Sequence, residues 1–73
     1  MRHRRAAIER YGLTAREVEI LQQLANGTAT AEIATLMGIS SNTVRTHVQR
    51  IITKLGAHSK LEAVAAARDA GML

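Results

Sequence analysis

AEIATLMGISSNTVRTHVQRIITKL, residues 31–55, contains two helical stripes joined by a very short connection. In the second half Val44, Val48, Ile51 and Leu55 step by three and four, the spacing of one helix face. In the first half Ile33, Ala34 and Met37 do the same over a shorter span. Between them lies only Gly38-Ile39-Ser40, a glycine stop followed by a capping serine. A short helix, a tight glycine turn and a longer helix together form a helix-turn-helix. The sequence places this motif at about 28–47 and the longer helix at about 41–55.

The flanks extend the same pattern. Leu13-Thr14-Ala15-Arg16-Glu17-Val18 reads as a helix start, with Thr14 and Glu17 as a capping box and Leu13 and Val18 as a hydrophobic staple. Asn26-Gly27 closes that helix. Thr28 or Thr30 is expected to cap the short helix. Ser59-Lys60-Leu61-Glu62 reads as a second capping box opening a last helix that stops at Gly71. Residues 1–12, beginning Arg2, His3, Arg4 and Arg5, read as a basic arm or linker remnant rather than a minor-groove reader. One helical turn is allowed around Ala6–Arg10. The expectation is an all-α, compact four-helix bundle over 13–73.

Composition agrees with this class. The 73 residues include no proline, no cysteine, no Phe or Trp and one Tyr, so the core must be aliphatic. Disulfides and thiolate metal sites are excluded. No apolar run approaches the roughly 18 residues that span a bilayer, and no apolar segment follows the basic start. A cytoplasmic protein without a membrane role is expected. No histidine is read as having a carboxylate or a second histidine three or four positions away, so neither a metal nor a cofactor is expected. His58 and Ser59 are adjacent, but no acid is read as orienting the imidazole, and Ser59 is read as a cap. The chain is not expected to be an enzyme.

Charge placement carries the functional reading. Ten Lys and Arg face six Asp and Glu, and no acid lies between Ile33 and Leu61. Opposite the apolar stripe, Asn42, Arg45, Thr46 and Gln49 share one polar arc whose side chains can reach base edges in a major groove. Thr43, His47, Arg50 and Lys54 flank the arc and can reach phosphate. Thr30, Ser41 and Lys60, at helix starts, are further backbone candidates. The expected partner is double-stranded DNA. A solvated basic face is the bland alternative, and a module binding RNA or a protein groove is another. Against RNA stands the lack of aromatic platforms beyond Tyr11.

LTAREVEIL (13–21) and NGTATAEIATLMGISSNTVRTHVQRIITKLGAHSKLEAV (26–64) also resemble the helix-turn-helix domain of LuxR/NarL/FixJ-type bacterial transcription regulators. That resemblance implies a positioning helix from Ile33 and a recognition helix from Ser41. It implies DNA contacts by Thr43, Arg45, Thr46 and Gln49, with His47, Arg50 and Lys54 near the backbone. It also implies that the last helix pairs two copies on DNA as a weak homodimer. The small side chains of Ala63, Ala66, Ala67 and Ala70 are the candidate contact face, with core packing as the alternative. A two-component setting, with RNA polymerase as a further partner, belongs to the same implication. The sequence departs from the family before Glu32, where Ala29, Thr30 and Ala31 stand in place of the frequent Ser-Asn-Lys.

Overall fold

The computed structural model describes residues 2–73, with side chains from Arg4 onward; those of Arg2 and His3, read above as part of the arm, lie outside the described residues. Five helices follow in order: α1 (Arg2–Tyr11), α2 (Ala15–Ala25), α3 (Thr30–Met37), α4 (Ser41–Lys54) and α5 (Lys60–Asp69). The class is all-α, as expected. The count is one higher, because the supposed arm is a helix.

Apolar burial makes α1 part of the domain. Ala7 is fully buried, and Ile8 and Tyr11 pack against the same core. These three share one face at i, i+1 and i+4. The guanidinium Nε of Arg4 donates to the Met72 carbonyl at 3.0 Å, tying the start of the helix to the far end of the chain. Gly12, at φ 71°, then stops α1 in the left-handed conformation that favours glycine. Its successor closes the turn through Leu13 N–H to the Ile8 carbonyl at 3.1 Å.

The Thr14 capping box forms as the sequence indicates. Glu17 N–H donates to Thr14 Oγ1 at 3.1 Å, and Thr14 N–H donates to Glu17 Oε1 at 2.9 Å. The α3–α4 turn also follows the reading. Gly38 takes φ 67°, and the Ser40 hydroxyl accepts from Thr43 N–H at 3.0 Å. The cap of α3 does not. Its N-cap is Ala29, which has no side-chain bond, while Thr30 is already helical. The Thr28 hydroxyl is occupied elsewhere, donating to Gln23 Oε1 at 2.9 Å.

Helix α4 is the central element, packed against α2, α3 and α5. Val44, Val48 and Ile51 are buried among Ile20 and Leu21 of α2, Ile33 of α3 and Val64 of α5. Met72 seals the core beneath α5. Burial of these aliphatic side chains, each contributing roughly 1.5–3 kcal/mol, holds α4 in a fixed attitude. Ala63 and Ala67 are part of that core, both fully buried. The alanine face expected to pair two copies is therefore directed inward, with Ala66 and Ala70 half-buried at its margin. Small side chains here allow α5 to approach the core closely. Among the described residues no helix is long and apolar enough to cross a membrane.

Candidate nucleic-acid interface

The turn at Gly38–Ser40 leaves the outer side of α4 facing away from the core. Asn42, Thr43, Arg45, Thr46, Gln49 and Arg50 are all exposed along it. Three of the expected base readers take part in local bonds. Arg45 Nη1 donates to Asn42 Oδ1 at 3.0 Å, and the Thr46 hydroxyl donates to the Asn42 carbonyl at 3.1 Å. The Asn42–Arg45 bond fixes the guanidinium over the first turn of α4, where a groove-reading helix makes its base contacts. Such a guanidinium presents paired donors matching the acceptors of guanine. Gln49 extends the arc one turn further.

The flanking residues separate into distinct environments. Thr43 Oγ1 lies 2.8 Å from Ser40 Oγ, so the cap of α4 and the first flanking hydroxyl form one unit. Ser41 and Thr30 are half-buried, and Lys60 is exposed at the start of α5. Thr30, Arg45, Gln49 and Lys60 rim a shallow recess of about 320 Å³ floored by Val48 and Ile52. Two cations and a hydroxyl around one recess, on a face without acids, suit a phosphate-bearing ligand.

Lys54 stands apart from this group. Its ammonium donates to Glu17 Oε1 at 2.8 Å and to the Gly12 carbonyl at 2.9 Å. Glu17 is buried, with 2% of its surface exposed, and takes bonds from both Lys54 and the Thr14 amide. Burial pushes its carboxyl up, but the Lys54 ammonium and the Thr14 donors outweigh this and hold it below its ordinary value. By sequence alone Lys54 groups with the phosphate contacts. In the structure its charge serves the junction of α1, α2 and α4.

One pairing corrects the expectation that no carboxylate stands three or four residues from a histidine. Glu62 stands four residues after His58, and its Oε1 lies 3.0 Å from His58 Nδ1 while accepting the His58 amide at 3.2 Å. The second capping box is therefore only half formed: Ser59 Oγ accepts from Glu62 N–H at 3.1 Å, but the glutamate reaches back to His58. This pair lies on an open surface, with the imidazole 88% exposed. Ser59 is a cap, as read.

A five-helix domain built around an exposed, acid-free second helix of a helix-turn-helix is a DNA-reading architecture. Comparison with known families gives the membership. Residues 11–67 match the model of the bacterial regulatory proteins of the luxR family. The chain belongs to that family. It is 44% identical over 61 residues to the HTH-type transcriptional activator RamA of Corynebacterium glutamicum, covering 84% of this chain and 22% of RamA. Its fold matches the transcription factor GerE with a TM-score of 0.79 and 38% identity, covering 84% of this chain and 91% of GerE. It matches a ligand–DNA complex of VqmA from Vibrio cholera equally well, at TM-score 0.79 and 42% identity, covering 82% of this chain and 26% of VqmA. The chain thus spans between 22% and 41% of the length of the curated relatives it matches. Helix α1 lies almost wholly before the matched segment.

Proposed function

We propose that this domain binds double-stranded DNA in transcription regulation, with α4 lying in the major groove. The observation that carries the reading is the exposed arc of Asn42, Arg45, Thr46 and Gln49, on a face free of acids. The arc offers donors and acceptors to base edges, and Thr43, His47, Arg50 and Lys60 are the side chains assigned to phosphate in this reading. The role is recognition in the cytoplasm rather than catalysis. The nature of RamA, a transcriptional activator by name, and the DNA complex of VqmA support this assignment.

Two copies on DNA complete the reading. One helix of 14 residues covers only a few base pairs. A two-fold pair doubles the sequence read, with half-sites about one helical turn apart. Because Ala63 and Ala67 are buried, pairing falls to the outer side of α5, where Leu61 is 81% exposed and Ala65 is also exposed. So little apolar area supports association only when DNA holds both copies in place.

Selection of duplexes from a random pool tests the proposal. An enriched, two-fold symmetric sequence bound in preference to competing RNA is the expected result. Recovery of no sequence preference, or displacement by RNA at equal concentration, would remove it.

A further inference from the structure

His47 differs from every other polar side chain on the outer side of α4. Its ring is half-buried, and its Nδ1 is sealed from solvent with no hydrogen-bond partner. Among the described residues it is the one buried side-chain nitrogen or oxygen in that condition. A hydrogen placed on Nδ1 would be a buried donor without an acceptor, an arrangement folded proteins avoid more strictly than an unused lone pair. Of the protonation forms of the ring, only one keeps Nδ1 bare: the neutral tautomer with its hydrogen on Nε2. Nε2 is not sealed in the way that Nδ1 is.

We infer that His47 meets the DNA backbone as a neutral Nε2–H donor and not as a cation, so that it orients α4 without displacing a counterion. The inference rests on the DNA-binding reading above and adds a division of labour to it. Thr43, His47, Arg50 and Lys54 recur along one flank of α4 and look alike as phosphate contacts. The structure separates them. Thr43 offers a hydroxyl shared with Ser40, and His47 a directional N–H. Lys54 is committed to Glu17, which leaves Arg50 as the exposed cation of that flank. Only a cation that neutralises phosphate steepens the dependence of affinity on salt. His47 is a positioning residue whose contact should persist at ionic strengths that screen Arg50.

Two measurements on the 73-residue chain test this. Ring nitrogen NMR of the free protein at about pH 8, where an ordinary histidine is neutral, reads the tautomer directly. The Nε2–H form is expected, and an Nδ1–H form overturns the inference. Affinity for the selected duplex is then followed from about 50 to about 200 mM salt for wild type, His47→Leu, His47→Gln, His47→Asn and Arg50→Gln. His47→Leu should lose about tenfold in affinity at every salt, with an unchanged slope, the loss of one hydrogen bond to a charged group. Gln, whose amide reaches the Nε2 position, should recover most of that, while Asn, reaching only Nδ1, should not. Arg50→Gln should lower the slope by about one. A slope reduced by one in His47→Leu means a cationic contact, and unchanged affinity means no contact; either overturns the inference while DNA binding stands. Wild-type protein that retains no duplex overturns the DNA reading instead, and this inference with it. If His47→Leu fails to fold, the Gln and Asn pair alone carries the comparison.

Discussion

The Lys54 ammonium sits 2.8 Å from the Glu17 carboxylate, joining the last turn of α4 to the first turn of α2. The two partners are unequal: the Glu17 side chain is 3% exposed and that of Lys54 33%. The same glutamate closes the cap of α2, so one buried carboxylate fixes both a helix start and the far end of the reading helix.

Removing the lysine should therefore harm the fold more than the DNA contact. Lys54→Gln is expected to cost about 1–3 kcal/mol, because a buried carboxylate loses its charged donor. The salt slope of DNA binding should stay at the wild-type value. Urea unfolding and a salt series on one variant would show both; a slope lower by one with stability unchanged would return Lys54 to the phosphate contacts.

Acid should expose the same group. Because the folded state holds the Glu17 carboxyl below its ordinary value, the stability it contributes is complete above the unfolded-state value. It is lost as pH falls through the lower, folded one. Glu17→Gln should be less stable than wild type at neutral pH, with the difference shrinking in that acid window. Melting temperatures of both proteins from pH 7 downward would reveal it, and a constant gap would refute it.

The two sides of α5 should respond oppositely to charge. Ala67→Glu buries a carboxylate in the core, an effect of about 4 kcal/mol or more. That approaches the whole stability of a domain this size, about 4–10 kcal/mol, so the variant should be unfolded by circular dichroism. Ala65→Glu, on the exposed side, should fold normally. It should also weaken occupation of a two-half-site duplex while sparing a single half-site. Equal behaviour of wild type and Ala65→Glu on both duplexes would exclude this side of α5 as the pairing surface.

For the groove, Arg45→Ala and Gln49→Ala should each cost roughly 1–3 kcal/mol on the selected duplex and relax preference at one base pair. Loss of Asn42's bond to Arg45 should be milder and of the same kind. Binding to specific and scrambled duplexes would be compared; identical affinities throughout would mean that α4 is not the reader.

How far the sequence discloses this molecule depends on how local each signal is. The Thr14–Glu17 box, the Gly38 stop, the Ser40 cap and the Val44–Val48–Ile51 stripe are each decided within a few residues, and each is legible. Helix α1 is not, because arginines surround the small stripe of Ala7, Ile8 and Tyr11, and its anchor at Met72 is 68 residues away. Lys54 resembles any surface cation until Glu17, 37 residues earlier, is brought beside it. Alanine gives no polarity signal, so the inward turn of Ala63 and Ala67 had to come from packing. The His58–Glu62 spacing of four residues is equally local and legible, against the expectation that no carboxylate stands near a histidine.

The bond from Arg4 to Met72 also bears on the order of events in time. A contact spanning 68 residues can form only after the intervening helices have assembled, since its loop-closure cost falls steeply once they are in place. Helix α1 should thus join last and leave first. In native-state hydrogen exchange, its amides should exchange through a partial opening that leaves α2–α5 intact, well before the amides of α4 are released. Whatever is attached ahead of α1 would be tethered to the least durable joint of the domain, while the reading helix sits in the most durable part.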